Sequence, residues 1–481
     1  MKKIEFKHAL LPIIFLLILI VYGLIIRPQL QGEPAFPLEV LFIFAGAFAV
    51  SELLWLGFTW DEILKSIIKK ISSGMPAFLI LLSIGLIIGS WIVCGTIPMM
   101  VYYGLKIINP NYLYLLAFCV PAVFSLMTGT SWGSAGAVGI VIMGISGAMN
   151  GHLGITAGAV IAGAYFGDKM SPLSDTTNMA AIATDVNLFD HIRSMMNTTI
   201  PSTIITLGLY LALGFIYPPG FNSADLSSVM PFLNSLDSMF SFNPLLLIPP
   251  VLVLYGSFKR KPVIPVIFVS MLSASILAMI FQNYTLSDIL QSLYRGFTTD
   301  MAHWVSEVPE RVDLLLNRGG LYALNDAVII AFMVFVFIGT IDVIDAMPTV
   351  VNRVFRYAKR RASTILASLA AAAVTNSLTS NQYATSFIVG DAFKSKYDAL
   401  KIPRKVLSRS IEDTGTMIES LVPWHPTAVF MVSTLGISVG DYWHWQFLTI
   451  INFVVAPLLA VTGIGCFYNE VDKRKNEDNS G

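Results

Sequence analysis

Gly167-Asp168-Lys169-Met170-Ser171-Pro172-Leu173-Ser174-Asp175-Thr176-Thr177-Asn178 is the stretch whose reading decides the fold. It sets carboxylates, a lysine, hydroxyls and a proline inside an apolar run extending from about 154 to 184. Glycine and proline release backbone carbonyls from helical bonding, while hydroxyls, amides and carboxylates add hard oxygen ligands. A span broken in this way is not a plain wall helix.

The rest of the chain supplies the setting. Of 481 residues, 55% are hydrophobic and only 12% charged, and the mean hydropathy is +0.71. A soluble domain carries roughly twice that charged fraction, about 25%, because its surface faces water. Several runs approach the roughly 20 apolar residues that cross a hydrocarbon core. The chain therefore reads as a membrane protein. With 30 acidic and 30 basic residues, it gives no sign of a nucleic-acid partner. Cys94, Cys119 and Cys466 lie in or beside apolar segments at no metal-ligand spacing and read as packing residues.

Lys2, Lys3 and Lys7 precede an apolar run from about Leu10 to Ile26. It is longer than a signal-peptide core of about 7–15 residues and lacks a small-x-small cleavage site, so it reads as the first span. Basic clusters then set the topology: Lys65, Lys69 and Lys70; Lys259, Arg260 and Lys261; Arg353 to Arg361; Lys394 to Arg409; and Lys473 to Lys475. Placed on the cytoplasmic side, they put both termini in the cytoplasm of a cell whose inner membrane holds the protein. Spans are expected near 8–27, 36–57, 75–101, 154–184, 197–217, 242–257, 262–281, 322–346, 408–436 and 445–467. An amphipathic interfacial piece is expected from Trp60 to Ile71, and an external connector over 284–320.

Two apolar stretches, 112–148 and 362–393, remain. If each crossed once, the basic clusters would fall on opposite sides, so each is expected to enter and leave by the same face. Such re-entrant backbone survives only where it is buried or lines a wet cavity. The expected architecture is an all-α polytopic protein with about ten transmembrane helices, two re-entrant helical hairpins and two broken helices.

A repeat supports it. Gly89-Ser90-Trp91 to Pro98-Met99-Met100-Val101 matches Gly339-Thr340-Ile341 to Pro348-Thr349-Val350-Val351 at a constant offset of 250, Gly339 against Gly89. At that offset Thr130-Ser131 falls on Ser380-Asn381. The basic clusters run the two copies in opposite directions, which makes the repeat inverted, an architecture of secondary transporters. The parts are then 1–73, N-terminal helices; 74–257, first repeat; 258–320, connector; 321–467, second repeat; and 468–481, cytoplasmic tail.

Four polar stretches interrupt the apolar surroundings: 128–134, 167–178, Asn376 to Gln382, and Glu412 to Thr416 followed by Glu419 and Pro423-Trp424-His425-Pro426. Their oxygens suit a hard cation such as Na⁺, and a carboxylate beside Na⁺ can take a proton when the ion leaves. Membrane hydroxyls also often bond back to the preceding turn, an alternative that holds for Thr128 and Ser134. An ionisable group within a span is functional by default, which favours Asp175 and Asp413. Asp168 could instead pair with Lys169 as a structural bridge. Glu52, Asp342 and Asp345 read as interfacial. His425 could carry a proton, touch a substrate or simply pack, and His8, His152, His191, His303 and His444 read as solvated. With no Walker loop, dinucleotide fingerprint or metal-ligand spacing, neither enzyme activity, a cofactor nor a transition metal is expected.

TGTSWGSAG at 128–136 and GDKMSPLSDTTN at 167–178 resemble hallmark segments of the NhaC-type Na⁺/H⁺ antiporter family. TNSLTSNQY at 375–383 and SRSIEDTGTMIESLVPW at 408–424 are similar to its matching half. The resemblance implies Na⁺/H⁺ antiport, or a related exchange of a small organic acid or amino acid such as proton–malate against Na⁺–lactate. It also implies hairpin tips and broken helices that hold the cargo, here Thr130, Ser131, Asp175, Thr177, Asn178, Ser380, Asn381, Asp413, Thr414 and Thr416. Asp168, Glu412, Glu419 and His425 join them as substrate or proton candidates. Where the family tends to carry Asn after the Pro-Trp pair, this chain has His425, and Glu419 is also a departure. The expected partners are Na⁺, H⁺, a small carboxylate or amino acid, the bilayer, and a second copy in a homodimer.

Overall fold

The computed structural model describes residues 5–220, 230–259, 261–305 and 307–468. Lys2, Lys3, Arg260 and almost all of the expected tail lie outside them. Within the described residues every regular element is helical, and nine helices are long and apolar enough to cross a membrane, or up to eleven if two bent pairs count as single spans. The protein is a multi-pass membrane protein.

The helices used below are α1 (Phe6–Leu30), α2 (Leu38–Leu56), α3 (Trp60–Val93), α4 (Thr96–Ile107), α5 (Leu113–Thr128), α6 (Ser131–Ala148), α7 (Leu153–Met170), α8 (Asp175–Ala183) and α9 (Leu188–Ile216). They continue with α10 (Met230–Met239), α11 (Ile248–Phe258), α12 (Val263–Phe281), α13 (Leu286–Tyr294), α14 (Glu310–Leu316), α15 (Asn325–Ile341) and α16 (Ala346–Val354). Last come α17 (Arg361–Thr379), α18 (Gln382–Ala399), α19 (Arg404–Ser410, running on as a π-helical stretch Ile411–Thr416), α20 (Pro426–Leu435) and α21 (Phe447–Thr462).

Among the described residues two large apolar cores are present, with a small third cluster of Phe78, Ala331 and Phe335. One gathers α4 to α7 with α12 to α14 and α20; the other gathers α1, α2 and α15 to α19 with α21. α3 joins them, with Ile63 and Ile67 in the second core and Leu81 to Val93 in the first. Here the structure corrects the sequence reading. The interfacial piece at 60–71 and the following span are one unbroken 34-residue helix, so the expected part boundary at 73 falls inside α3. Gly74-Met75-Pro76 looks like a breaker, but packing overrides it. The Phe335 ring sits where a Cβ on Gly74 would come within 2.8 Å, and Ser66 donates to the Gly339 carbonyl of α15. Two short helices, α10 and α16, were not anticipated; α10 meets the Pro244–Gly256 helix at 95°.

The matched segments share backbone turns. Gly95 (φ +88°) and Asp345 (φ +46°) both stand in the left-handed region at the starts of α4 and α16, 250 residues apart (Asp345 against Gly95). Gly129 (φ +71°) ends α5 and Ser380 (φ +49°) ends α17, followed by capping residues Thr130 and Asn381. These pairs stand 251 apart (Ser380 against Gly129). Thr130 and Asn381, each capping the helix after its turn, likewise stand 251 apart, one more than the offset of 250 in the sequence (Asn381 against Thr130).

Candidate functional site

Each polar stretch folds as a helix interrupted for a physical reason. At Gly129 the left-handed φ favours glycine, and a Cβ there would stand 2.6 Å from the Leu173 backbone. The α5–α6 break is thus pressed directly against the α7–α8 break. Thr130 accepts the Gly133 N–H at 3.2 Å, and the Ser131 N–H donates to Asp168 Oδ2 at 3.1 Å. In the α7–α8 break, Ser171 donates to the Leu126 carbonyl at 2.9 Å, and Ser174 caps α8 by accepting from Thr177. The Asn178 amide nitrogen donates to the carbonyls of Pro172 and Ser174, at 3.0 and 2.7 Å, which holds the break open.

The second half is built alike. Asn381 Oδ1 accepts the Ala384 N–H at 2.9 Å, and His425 Nδ1 accepts the Thr427 N–H at 3.1 Å as the cap of α20, with Pro426 in the first turn. A ring nitrogen that accepts cannot carry the hydrogen, so the hydrogen is assigned to Nε2, 3.4 Å from Asn376 Oδ1. Both nitrogens of His425 thus have partners within the protein, and the residue also lines the cavity described below. Ser174 and His425 cap α8 and α20 at equivalent places, again 251 apart (His425 against Ser174).

All four interruptions open onto one cavity of about 930 Å³. Among the expected residues, Thr130, Ser131, Asp168, Asp175, Asn178, Ser380, Asn381, Thr416, Glu419 and His425 line it. Three carboxylates are included: Asp168 and Glu419 are buried, whereas Asp175, in the first turn of α8, is exposed to the cavity. Lys261 is the one Lys or Arg among the lining residues, and it is exposed. Glu419 is held by both halves: Asn376 Nδ2 at 3.1 Å and Thr427 Oγ1 at 3.0 Å from the second, Tyr165 OH at 3.3 Å from the first.

Four expected residues do not reach the cavity. Thr177 donates to the Lys169 carbonyl at 3.3 Å, and Thr414 to the Leu369 carbonyl at 2.6 Å, so both hydroxyls act as helix ties. Asp413 is 1% exposed and is neutralised by Lys169, with Arg409 Nε 3.8 Å away and Thr198 Oγ1 donating at 2.9 Å. Glu412 is fully buried behind the wall. The bridge considered between Asp168 and Lys169 does not form: Lys169 reaches across to Asp413, while Asp168 takes the Ser131 N–H. Successive residues at the end of a helix point about 100° apart, which separates the two.

Sequence reading also missed residues. Tyr165, Asn376, Gln382 and Trp132 shape the site, and all but Tyr165 were inside the polar stretches named above. His191 is not solvated: it is fully buried, with Nδ1 2.8 Å from Ser408 Oγ. His8 is buried against Glu52, 3.0 Å away.

A profile of the Na⁺/H⁺ antiporter family matches residues 163–464, from α7 through the second pair of interruptions to α21. The chain belongs to that family. It is 39% identical to an uncharacterized Na⁺/H⁺ antiporter of Haemophilus influenzae, over 95% of this chain and 96% of that one. It is 34% identical to the Na⁺/H⁺ antiporter NhaC of Bacillus subtilis, over 95% and 98%. It is 31% identical to the malate-2H⁺/Na⁺-lactate antiporter of the same organism, over 98% and 99%. Within this antiporter-family chain, the cavity residues of the first half precede the matched region at Thr130 and Ser131 and enter it at Asp168.

Proposed function

We propose that this protein is a Na⁺/H⁺ antiporter of the bacterial inner membrane, with Na⁺ held among Asp168, Asp175 and Glu419. The observation that carries this is the sign of the cavity: three carboxylates from both interrupted regions and no buried Lys or Arg among its lining residues. Thr130, the Asn178 side-chain oxygen and Asn381 add neutral oxygens of the kind a hard cation prefers. The Asn178 oxygen is available because its NH₂ group is committed to carbonyls.

The architecture we propose is an inverted repeat in which α5–α6 and α17–α18 are re-entrant hairpins and both termini are cytoplasmic. Its support is the recurrence of left-handed turns at Gly129 and Ser380, and of carboxylates at Asp168 and Glu419, 251 apart (Glu419 against Asp168). A dicarboxylate cargo like that in the name of the lactate–malate relative fits less well, since three carboxylates would repel it. Homodimerisation remains part of the proposal.

In everted vesicles with a respiration-generated pH gradient, added Na⁺ should collapse the gradient. A gradient untouched by Na⁺ between about pH 6.5 and 9, where carboxylate–Na⁺ competition operates, refutes antiport.

A further inference from the structure

Glu412 sits on the π-helical stretch of α19, fully buried, and neither carboxylate oxygen has a hydrogen-bond partner. It faces Thr416, one turn on, and Gln382 at the start of α18; the Thr416 hydroxyl and the Gln382 amide nitrogen lack partners as well. Thr416 and Gln382 both line the cavity, so Glu412 lies one side chain behind its wall. Clustered unpartnered polar atoms in a buried place are costly, and a proton on the carboxylate reduces that cost.

The charged groups around it come from several helices. α7 contributes Lys169 and Asp168, α19 contributes Arg409 and Asp413, the turn that follows it contributes Glu419, and α9 brings His191 close to Lys169. The cations Lys169 and Arg409 face the carboxylates of Asp413, Asp168 and Glu412, so protonating Glu412 removes one negative charge from the cluster.

We propose that Glu412 carries the proton exchanged for Na⁺, at a place separate from the cavity carboxylates. The inference rests on the antiport reading and identifies its proton site. A proton passes from cavity water, by way of the Thr416 hydroxyl, to a Glu412 oxygen, and returns by the same route. The added charge acts through a medium of low dielectric on the adjoining cavity and expels Na⁺. Na⁺ and H⁺ then exclude each other although they touch different oxygens.

The test is Glu412→Gln in proteoliposomes. Gln stands in for protonated Glu412, so exchange of radiolabelled Na⁺ against unlabelled Na⁺, which needs no proton, should require more Na⁺ than in the parent at alkaline pH but recover at saturating Na⁺, while proton movement driven by a Na⁺ gradient is lost. Glu412→Asp should keep coupling with a displaced pH midpoint, and it keeps the test usable if the Gln variant does not fold. Coupling with the parent's pH profile in either variant overturns the proposal. So does Na⁺ exchange in folded Glu412→Gln with the parent's alkaline-pH Na⁺ affinity, which would show that charge at Glu412 does not act on the cavity, or exchange that saturating Na⁺ cannot recover, which would make Glu412 a Na⁺ ligand. If antiport itself is wrong, the parent protein will show it, as a Na⁺ gradient that moves no protons.

Discussion

Lys169, near the C-terminus of α7, donates from its ammonium to Asp413 on the π-helical stretch of α19, and both side chains are only 1% exposed. This pair joins an interrupted helix of the first half to its counterpart in the second. It also removes Asp413 from the group of free carboxylates.

Removing one partner leaves an uncompensated buried charge. Asp413→Asn should lower stability by about 3–5 kcal/mol, the range for breaking a buried pair from one side. Lys169→Met combined with Asp413→Asn should recover part of that loss. Thermal unfolding of the purified proteins checks both, and equal losses in the single and double variants would show that the pair is not the source.

Asp175 contrasts with Asp413. Exposed to the cavity in the first turn of α8, it supports the structure chiefly through the helix dipole and Tyr383, so Asp175→Asn should lower stability by no more than about 1 kcal/mol. Na⁺-dependent transport should nevertheless vanish from protein that inserts normally. Unchanged Na⁺ affinity in everted vesicles would take Asp175 out of the site.

The two left-handed turns predict opposite effects. Gly129→Ala forces a Cβ against Leu173 at a positive φ and should cost about 1–3 kcal/mol. Ser380→Gly removes the left-handed penalty and should be neutral or stabilising, by up to about 1–2 kcal/mol. Thermal midpoints measured side by side test the contrast.

His425 acts as a helix cap, and asparagine is a strong cap. His425→Asn should therefore retain stability and proton coupling, whereas His425→Ala should lose about 0.5–2 kcal/mol. Loss of proton coupling in stable His425→Asn would restore the proton-carrier reading.

Much of the site was legible in sequence because membranes make polar residues conspicuous. The runs at 128–134, 167–178 and 376–382 stood out against apolar neighbours, and each became an interruption facing one cavity. Direction was not legible. Asp168 and Lys169 are adjacent in sequence yet serve different partners, and Thr177 and Thr414 carry the right chemistry while facing carbonyls. The separate interfacial piece expected from Trp60 to Ile71 runs on into one helix instead, because Phe335, 261 positions on from Gly74, packs over the junction.

Sequence alone determined the membrane class, the helical breaks and the family motifs, since hydropathy, glycine and proline act over a few residues. Tertiary structure alone decided which carboxylates stay free. Asp413 is claimed by Lys169 from another helix, Glu419 is gripped by Tyr165 across the halves, and Glu412 is left without a donor. A carboxylate's chemistry depends on what lies within about 4–6 Å of it, and in this protein Tyr165, Lys169 and Thr198 reach their carboxylates from more than 200 residues away along the chain.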